Sequence, residues 1–336
     1  MPNPLIEQQP VRAAADDVLS AVLRAIRLTG SLQFCFMPTG VWQTDATPSL
    51  ANLGPRRGVA MPFHIVVEGA CWLKIEGQTL ALAAGDIVAF PFGTGHQLGV
   101  GEDGRLVSPV KDLPPKPWRE VPVLRYGSGD GRDRAGVRLL CGYLELAAAG
   151  FRPLQDALPL LLHIRTAGVE DLAWLSTIIA QIASEVDRPH AGGVSMLERL
   201  TEITFIELLR RHVAAAPPGS VGWLAAMTDP LLAHCLAAIH HEPTRVWSAT
   251  ALAAACGLSR STMAERFETV LGTSPMRYLR EWRLCLASVA LGATTQPIAE
   301  VAFEAGYGTE AAFSRAFSRA YGLPPAAWRA ASRRND

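Results

Sequence analysis

Residues 252–328 carry one pattern twice. Phe267, Gly272, Pro275 and Tyr278 are answered fifty residues on by Phe317, Gly322, Pro325 and Trp328. Ahead of each Phe, Leu252-Ala253 and the Cys256-Gly257 turn line up with Val301-Ala302 and Ala305-Gly306. The second copy has one extra turn residue, Tyr307-Gly308 against Leu258. Two copies are too few for a solenoid, which needs about three or more repeats to bury a continuous core. Each copy instead reads as a short helix, a glycine turn and a second helix, the layout of a DNA-reading unit. One such unit alone would fit a generic helical hairpin. Two copies with matched Gly, Pro and aromatic punctuation do not.

The helix boundaries follow from local chemistry. Asp229 opens a helix over 229–241 with Pro230 at its first position. Ser248 caps Ala249–Ala255, Gly257 supplies the left-handed turn, and Ser259 caps Arg260–Val270. Leu252, Leu258, Met263 and Phe267 form the core of the first unit. That leaves Arg260, Ser261, Ala264 and Glu265 facing outward near the start of its second helix. In the second unit, Pro297 begins Ile298–Glu304, Gly306 turns, and Thr309 caps Glu310–Ala320. Val301, Tyr307, Phe313 and Phe317 are its core; Glu310, Ala311, Ser314 and Arg315 face outward. Pro275–Leu291 reads as one spacer helix, long enough at about 1.5 Å per residue to hold two recognition helices about one DNA turn apart. Trp223, Trp247, Trp282 and Trp328 are expected as core anchors, and His240-His241 as the end of a helix.

The segments CGLSRSTMAERFETVLGTSPMRYL and PIAEVAFEAGYGTEAAFSRAFSRAYGLPPAAWR resemble the two helix-turn-helix units of the AraC family of bacterial transcription regulators. The resemblance covers about residues 225–332. It implies double-stranded DNA as partner, and transcriptional control. By position it implies base reading by Ser261, Ala264 and Glu265 in the first unit and by Glu310, Ala311 and Arg315 in the second. Arg315 suits guanine O6 and N7. Glu265 accepts from cytosine N4 but repels phosphate.

The chain has 336 residues and no net charge, which is not the basic signature of a strong nucleic-acid binder. Residues 229–336 hold 11 arginines against nine carboxylates and no lysine, so any cationic phosphate contact falls to Arg and non-specific affinity is expected to be modest. No apolar run approaches membrane-spanning length and the start of the sequence lacks a signal-peptide pattern, so a cytoplasmic protein without a membrane partner is expected. Six scattered cysteines show no C-x-x-C pair or zinc-finger spacing and read as reduced, buried thiols.

The N-terminal half has a different texture. A short amphipathic helix is expected over 16–28, opened by Asp16 or Asp17. Short β-rich runs follow at Leu32–Phe36, Phe63–Val67, Cys71–Ile75, Ile87–Phe90 and Leu139–Leu144. Gly and Pro turns punctuate them, and 108–118 and 127–136 read as loops. Gly85 to His96 fits G-x5-P-x-G-x2-H, and Phe63-His64-Ile65-Val66-Val67-Glu68-Gly69 reads as a strand running into a turn. This resembles a cupin barrel, found at the N-terminus of one AraC subgroup. It implies a jelly-roll pocket for a small effector lined by His64 and His96. Only His64 stands where metal cupins carry an H-x-H pair. No metal and no cofactor are expected, and Glu68 is expected to be solvated.

The expected fold class is α+β multidomain. An N-terminal β-barrel (cupin or jelly roll) with flanking helices occupies 1–165. A helical linker or dimerisation segment occupies 166–215, with helices over 170–186 and 195–213. An all-α domain with two helix-turn-helix units occupies 223–336, beyond the linker 214–222. The expected function is sequence-specific DNA binding that regulates transcription in response to a small effector in the barrel. A homodimer is expected, with RNA polymerase as a partner if the protein activates. Two alternatives are a thiol-based redox sensor using Cys35 or Cys71 and a metal-dependent cupin enzyme. The first reading makes the chain no enzyme.

Overall fold

Asp17 opens the first helix: its carboxylate accepts the backbone N–H of Ser20 at 3.0 Å, and Val18, Val22 and Ile26 form the buried stripe. The structure is a computed structural model that describes residues 17–26, 28–46, 59–127, 136–146, 151–215, 217 and 220–332. Asp16, most of the loop expected over 127–136, and Ala216, Pro218 and Gly219 of the expected linker lie outside the described residues.

After α1 (Val18–Ile26) the described residues form ten strands up to residue 146. They are β1 (Leu28–Pro38), β2 (Trp42–Asp45), β3 (Val59–Glu68), β4 (Ala70–Ile75) and β5 (Gln78–Ala83). Then follow β6 (Ile87–Ala89), β7 (Gln97–Val100), β8 (Arg105–Val107), β9 (Val123–Tyr126) and β10 (Arg138–Leu146). Helix α2 (Arg152–Asp156) and β11 (Leu162–Ile164) precede α3 (Ala173–Asp187) and α4 (Gly193–Ala214). The remaining elements are helices: α5 (Trp223–Ala226), α6 (Pro230–His241), α7 (Ala249–Ala255), α8 (Arg260–Leu271), α9 (Pro275–Ala293), α10 (Ile298–Glu304), α11 (Glu310–Tyr321) and α12 (Pro325–Ser332).

Two compact units arise. One holds residues 28–149 and 158–215. Its strands form two sheets, in the orders β11-β6-β3-β10-β1-β9 and β5-β4-β7-β2-β8. Between them lies a core that includes Phe34, Phe36, Trp42, Leu73, Phe90, Leu98, Leu139 and Cys141. Each strand expected from sequence falls within or over an observed one. Strands β2, β5, β8, β9 and β11 were not anticipated: four of them are only three or four residues long, too short for a period to show, and most residues of β5 are exposed. Helix α4 lies along β1, and α3 packs on α4 and β3. Arg138 of β10 fixes the end of α3 through two hydrogen bonds to Asp187, at 3.0 and 2.8 Å, and one to the Ala183 carbonyl. Gly142 allows this sheet to close: a Cβ there would lie 2.5 Å from the Phe63 ring and from the Ser31 carbonyl oxygen.

The other unit holds residues 216–336 together with 1–27 and 150–157. This differs from the boundaries expected from sequence, which placed the first helix with the barrel. Helix α1 packs on α6 and α9, and Phe151 enters the same helical core. The physical reason is apolar burial: the Val18, Val22 and Ile26 stripe and Phe151 are all buried there.

Candidate DNA interface and barrel interior

Each recognition helix is set by a cap and a glycine stop. The Ser259 hydroxyl accepts the Thr262 N–H at 3.1 Å, and Thr309 accepts the Ala312 N–H at 3.2 Å. Gly272 and Gly322 end the helices in the left-handed region, at φ 62° and 71°. Met263 and Phe267 bury one side of α8, as Phe313 and Phe317 do for α11. Of the expected core, Leu258 and Tyr307 are only half-buried, because each sits in the turn rather than on a helix.

The opposite faces are open. Arg260, Ser261, Ala264 and Glu265 are exposed on α8; Glu310, Ala311 and Arg315 are exposed on α11, with Ser314 half-buried. The structure therefore gathers each expected quartet onto one face of its helix, at the N-terminal half. Between the two units α9 runs as a single helix of 19 residues, about 28 Å at 1.5 Å per residue. Arg266 faces elsewhere: it pairs with Asp229, whose other carboxylate oxygen caps α6 by accepting the Leu231 and Leu232 N–H groups. That ion pair holds α8 to α6 and keeps the Asp229 carboxyl below its usual range despite burial, through Arg266 and the two backbone donors.

The four tryptophans are buried as expected. A polar network that the sequence did not reveal links three of the aromatic groups around them. Trp223 Nε1 donates to the Tyr278 hydroxyl at 2.6 Å, and that hydroxyl donates to His240 Nε2 at 2.7 Å. Burial, with a smaller contribution from His241, pushes His240 down to about 3, so it is neutral and can accept.

In the barrel, His64 on β3 and His96 just before β7 are brought together, both buried, with Nε2 to Nε2 at 2.7 Å. The Thr94 carbonyl lies 2.9 Å from His96 Nδ1, so that nitrogen carries the proton. His96 Nε2 is then the acceptor and His64 Nε2–H the donor. His64 Nδ1, left as an acceptor, faces the Cys141 thiol at 3.1 Å. All four ring nitrogens are engaged in one directional chain. Burial drives both rings neutral: His96 is pushed down to about 4, with Thr94 and Asp45 opposing, and His64 well below its ordinary value, helped by His96. Phe90 stacks on His96 with centroids 3.6 Å apart. Among the described residues no group of three or more His, Cys, Asp or Glu side chains is placed to hold a metal ion. Elsewhere in this unit a cavity of about 340 Å³ opens among Met37, Thr39, Glu68, Arg125, Tyr126 and Arg138. Glu68 is largely exposed, as expected, and lies 3.7 Å from Arg138.

Residues 17–214 match the Cupin family, and residues 252–331 match the helix-turn-helix domain family. The chain is 31% identical over 325 residues to an AraC-like transcription regulator of Streptomyces antibioticus, across 93% of this chain and 98% of that one. It is 30% identical over 318 residues to the HTH-type transcriptional regulator AlkR of Acinetobacter baylyi, across 93% and 99% of the two chains. The chain belongs to the AraC family of transcription regulators. As a member of the AraC family it is a sequence-specific DNA-binding protein that regulates transcription, with a cupin-type N-terminal half. No helix among the described residues is long and apolar enough to cross a membrane.

Proposed function

We propose that this regulator reads DNA with both helix-turn-helix units and responds to a small organic effector bound in the barrel. The observation that carries the first part is the pair of capped helices with matching open faces. Arg260, Ser261, Ala264 and Glu265 meet bases in one major groove; Glu310, Ala311, Ser314 and Arg315 meet bases in the next. The length of α9 supports grooves one turn apart.

The effector reading rests on the cavity of about 340 Å³ in the barrel unit. His64 and His96 satisfy each other, so they serve an effector as a pocket wall backed by Phe90 rather than as free donors. The cavity beside Arg125, Tyr126 and Glu68 offers further polar groups. The two imidazoles spend their Nε2 atoms on each other, which supports a metal-free regulator over a cupin enzyme. The thiol-sensor alternative built on Cys35 or Cys71 is disfavoured: both are buried, and burial pushes the Cys35 thiol up and the Cys71 thiol up to about 12. Exposed Val194, Met196 and Ile203 on α4 support a homodimer face. We place its action on cytoplasmic DNA, with RNA polymerase as a partner where it activates.

A genome-wide map of bound sites would supply candidate effectors from the chemistry encoded beside those sites. Full-length protein titrated with these should release heat and change its affinity for a bound promoter fragment. The expected coupling is about 1–3 kcal/mol. A promoter response that survives both Arg125→Glu and His64→Phe intact would overturn the barrel assignment. One tightly held metal per purified chain would overturn the metal-free reading.

A further inference from the structure

Four arginines and one carboxylate line a cavity of about 300 Å³ in the unit that holds both helix-turn-helix motifs. Arg152 comes from α2, Arg277, Arg280 and Glu281 from α9, and Arg319 from α11. Glu281 is already engaged: its carboxylate accepts Arg277 Nε at 3.1 Å. Among the described residues, Arg152, Arg280 and Arg319 make neither an ion pair nor a hydrogen bond. Three guanidiniums thus border one concavity without a carboxylate of their own, an arrangement whose mutual repulsion a bound anion relieves. The rest of the wall is apolar and fixed. Leu284 is buried, and the Tyr321 ring packs on Phe317 and Trp328 with centroids 4.5 and 4.9 Å away. Ala316 and Ala320 complete it. The arrangement is particular to the second helix-turn-helix unit: fifty residues back, Thr269 holds the place of Arg319.

We propose that this cavity binds a small organic phosphate, held by Arg152, Arg280 and Arg319 with its organic part against Tyr321 and Leu284, and that occupation weakens DNA binding. A phosphate monoester suits the site better than a carboxylate. It carries close to two negative charges at neutral pH and three acceptor oxygens, one for each guanidinium, where a carboxylate offers one charge and two oxygens. The planar guanidinium fork matches phosphate geometry. The cavity volume stands at the low end of small-molecule pockets, about 300–1,000 Å³. Backbone phosphates of DNA are the other source of the same chemistry. The proposed base contacts lie at 310–315, in the N-terminal half of α11, whereas Arg319 lies beyond them toward the helix end and Arg152 outside both helix-turn-helix units. That placement favours the free ester. The effect on DNA follows from charge: residues 229–336 hold 11 arginines against nine carboxylates, so a bound dianion cancels that excess beside the second recognition helix. The site is separate from the cavity of the barrel unit, and the inference stands whichever ligand that one takes.

The test titrates full-length protein, in phosphate-free buffer, with phenyl phosphate and with benzoate, the carboxylate of the same ring. Calorimetry should show one site per chain for phenyl phosphate and roughly tenfold weaker binding of benzoate. Arg280→Gln combined with Arg319→Gln, both at exposed positions, should keep the parent's circular dichroism and melting temperature and lose the phenyl phosphate heat. Arg119→Gln, at an exposed arginine of the barrel unit, should keep that heat. Saturating phenyl phosphate should lower the parent's affinity for a bound promoter fragment about fivefold, read by fluorescence anisotropy, and leave the double variant unaffected. No heat from phenyl phosphate at millimolar concentration would overturn the proposal. So would benzoate binding as tightly, binding that survives in the double variant, or bound phenyl phosphate with unchanged DNA affinity. A double variant that loses DNA affinity, beside a parent that takes up no phenyl phosphate, would assign these arginines to the DNA backbone instead.

Discussion

Arg315 stands exposed on α11, at the position that suits a bidentate contact with guanine. Arg315→Ala should therefore flatten discrimination at one base pair, by about 1–3 kcal/mol, in a panel of single-base variants. A uniform loss across the panel would instead mark a phosphate contact. Glu265→Ala should cost less or tighten binding, because a carboxylate near phosphates is repelled. The buried histidines make a separate prediction about acid. An unfolded imidazole takes up its proton near pH 6.5, whereas folded His96 resists until about 4. The unfolded state therefore binds more protons in that window, and stability falls as pH drops from about 6.5 toward 4, by about 1.4 kcal/mol per pH unit for each such group. Urea melts of the parent at steps through that range should show the slope. His96→Phe, which keeps a ring on Phe90 and removes the proton site, should flatten it; an unchanged slope would show that His96 is not its source.

At the scale of elements, caps decide where the two recognition helices begin. Ser259→Ala and Thr309→Ala each remove the acceptor of a first-turn N–H and should cost about 0.5–2 kcal/mol, measured by urea denaturation. Of the two, Ser259→Ala disturbs more, since Ser259 also bonds to the Ser261 and Thr262 hydroxyls at 2.9 and 2.8 Å. A smaller loss at Ser259 than at Thr309 would contradict this ranking. These helices were legible because the signals are local: a Ser or Thr cap, an apolar pair four residues apart, a Gly stop. The edge strands β8 and β9 were not, because at three and four residues they are too short to show a period, and each is placed by its pairing with β2 or β1. The same holds for candidate sites. Helix periodicity was enough to sort Arg260, Ser261, Ala264 and Glu265 onto one face. The His64–His96 contact joins residues 32 positions apart, and no spacing rule announces it.

At the scale of the molecule, the sequence order and the packing order differ. Phe151 lies between two barrel strands in the chain, yet its ring sits among Trp223, His240, Tyr278 and Trp282, with centroids 5.1 to 6.0 Å away. Phe151→Ala should cost about 3–5 kcal/mol. Hydrogen exchange should show the lost protection in α6 and α9, and loss confined to the barrel strands would refute the packing. By itself the sequence determined the two helix-turn-helix units, their caps, their open faces and the barrel's principal strands, since each depends on residues within a few turns or one strand of one another. Tertiary structure alone decided which unit α1 and Phe151 join and that His64 and His96 close on each other. Those contacts bring together residues tens to more than a hundred positions apart, and what selects them is shared burial of apolar surface, which leaves no periodic mark in the sequence.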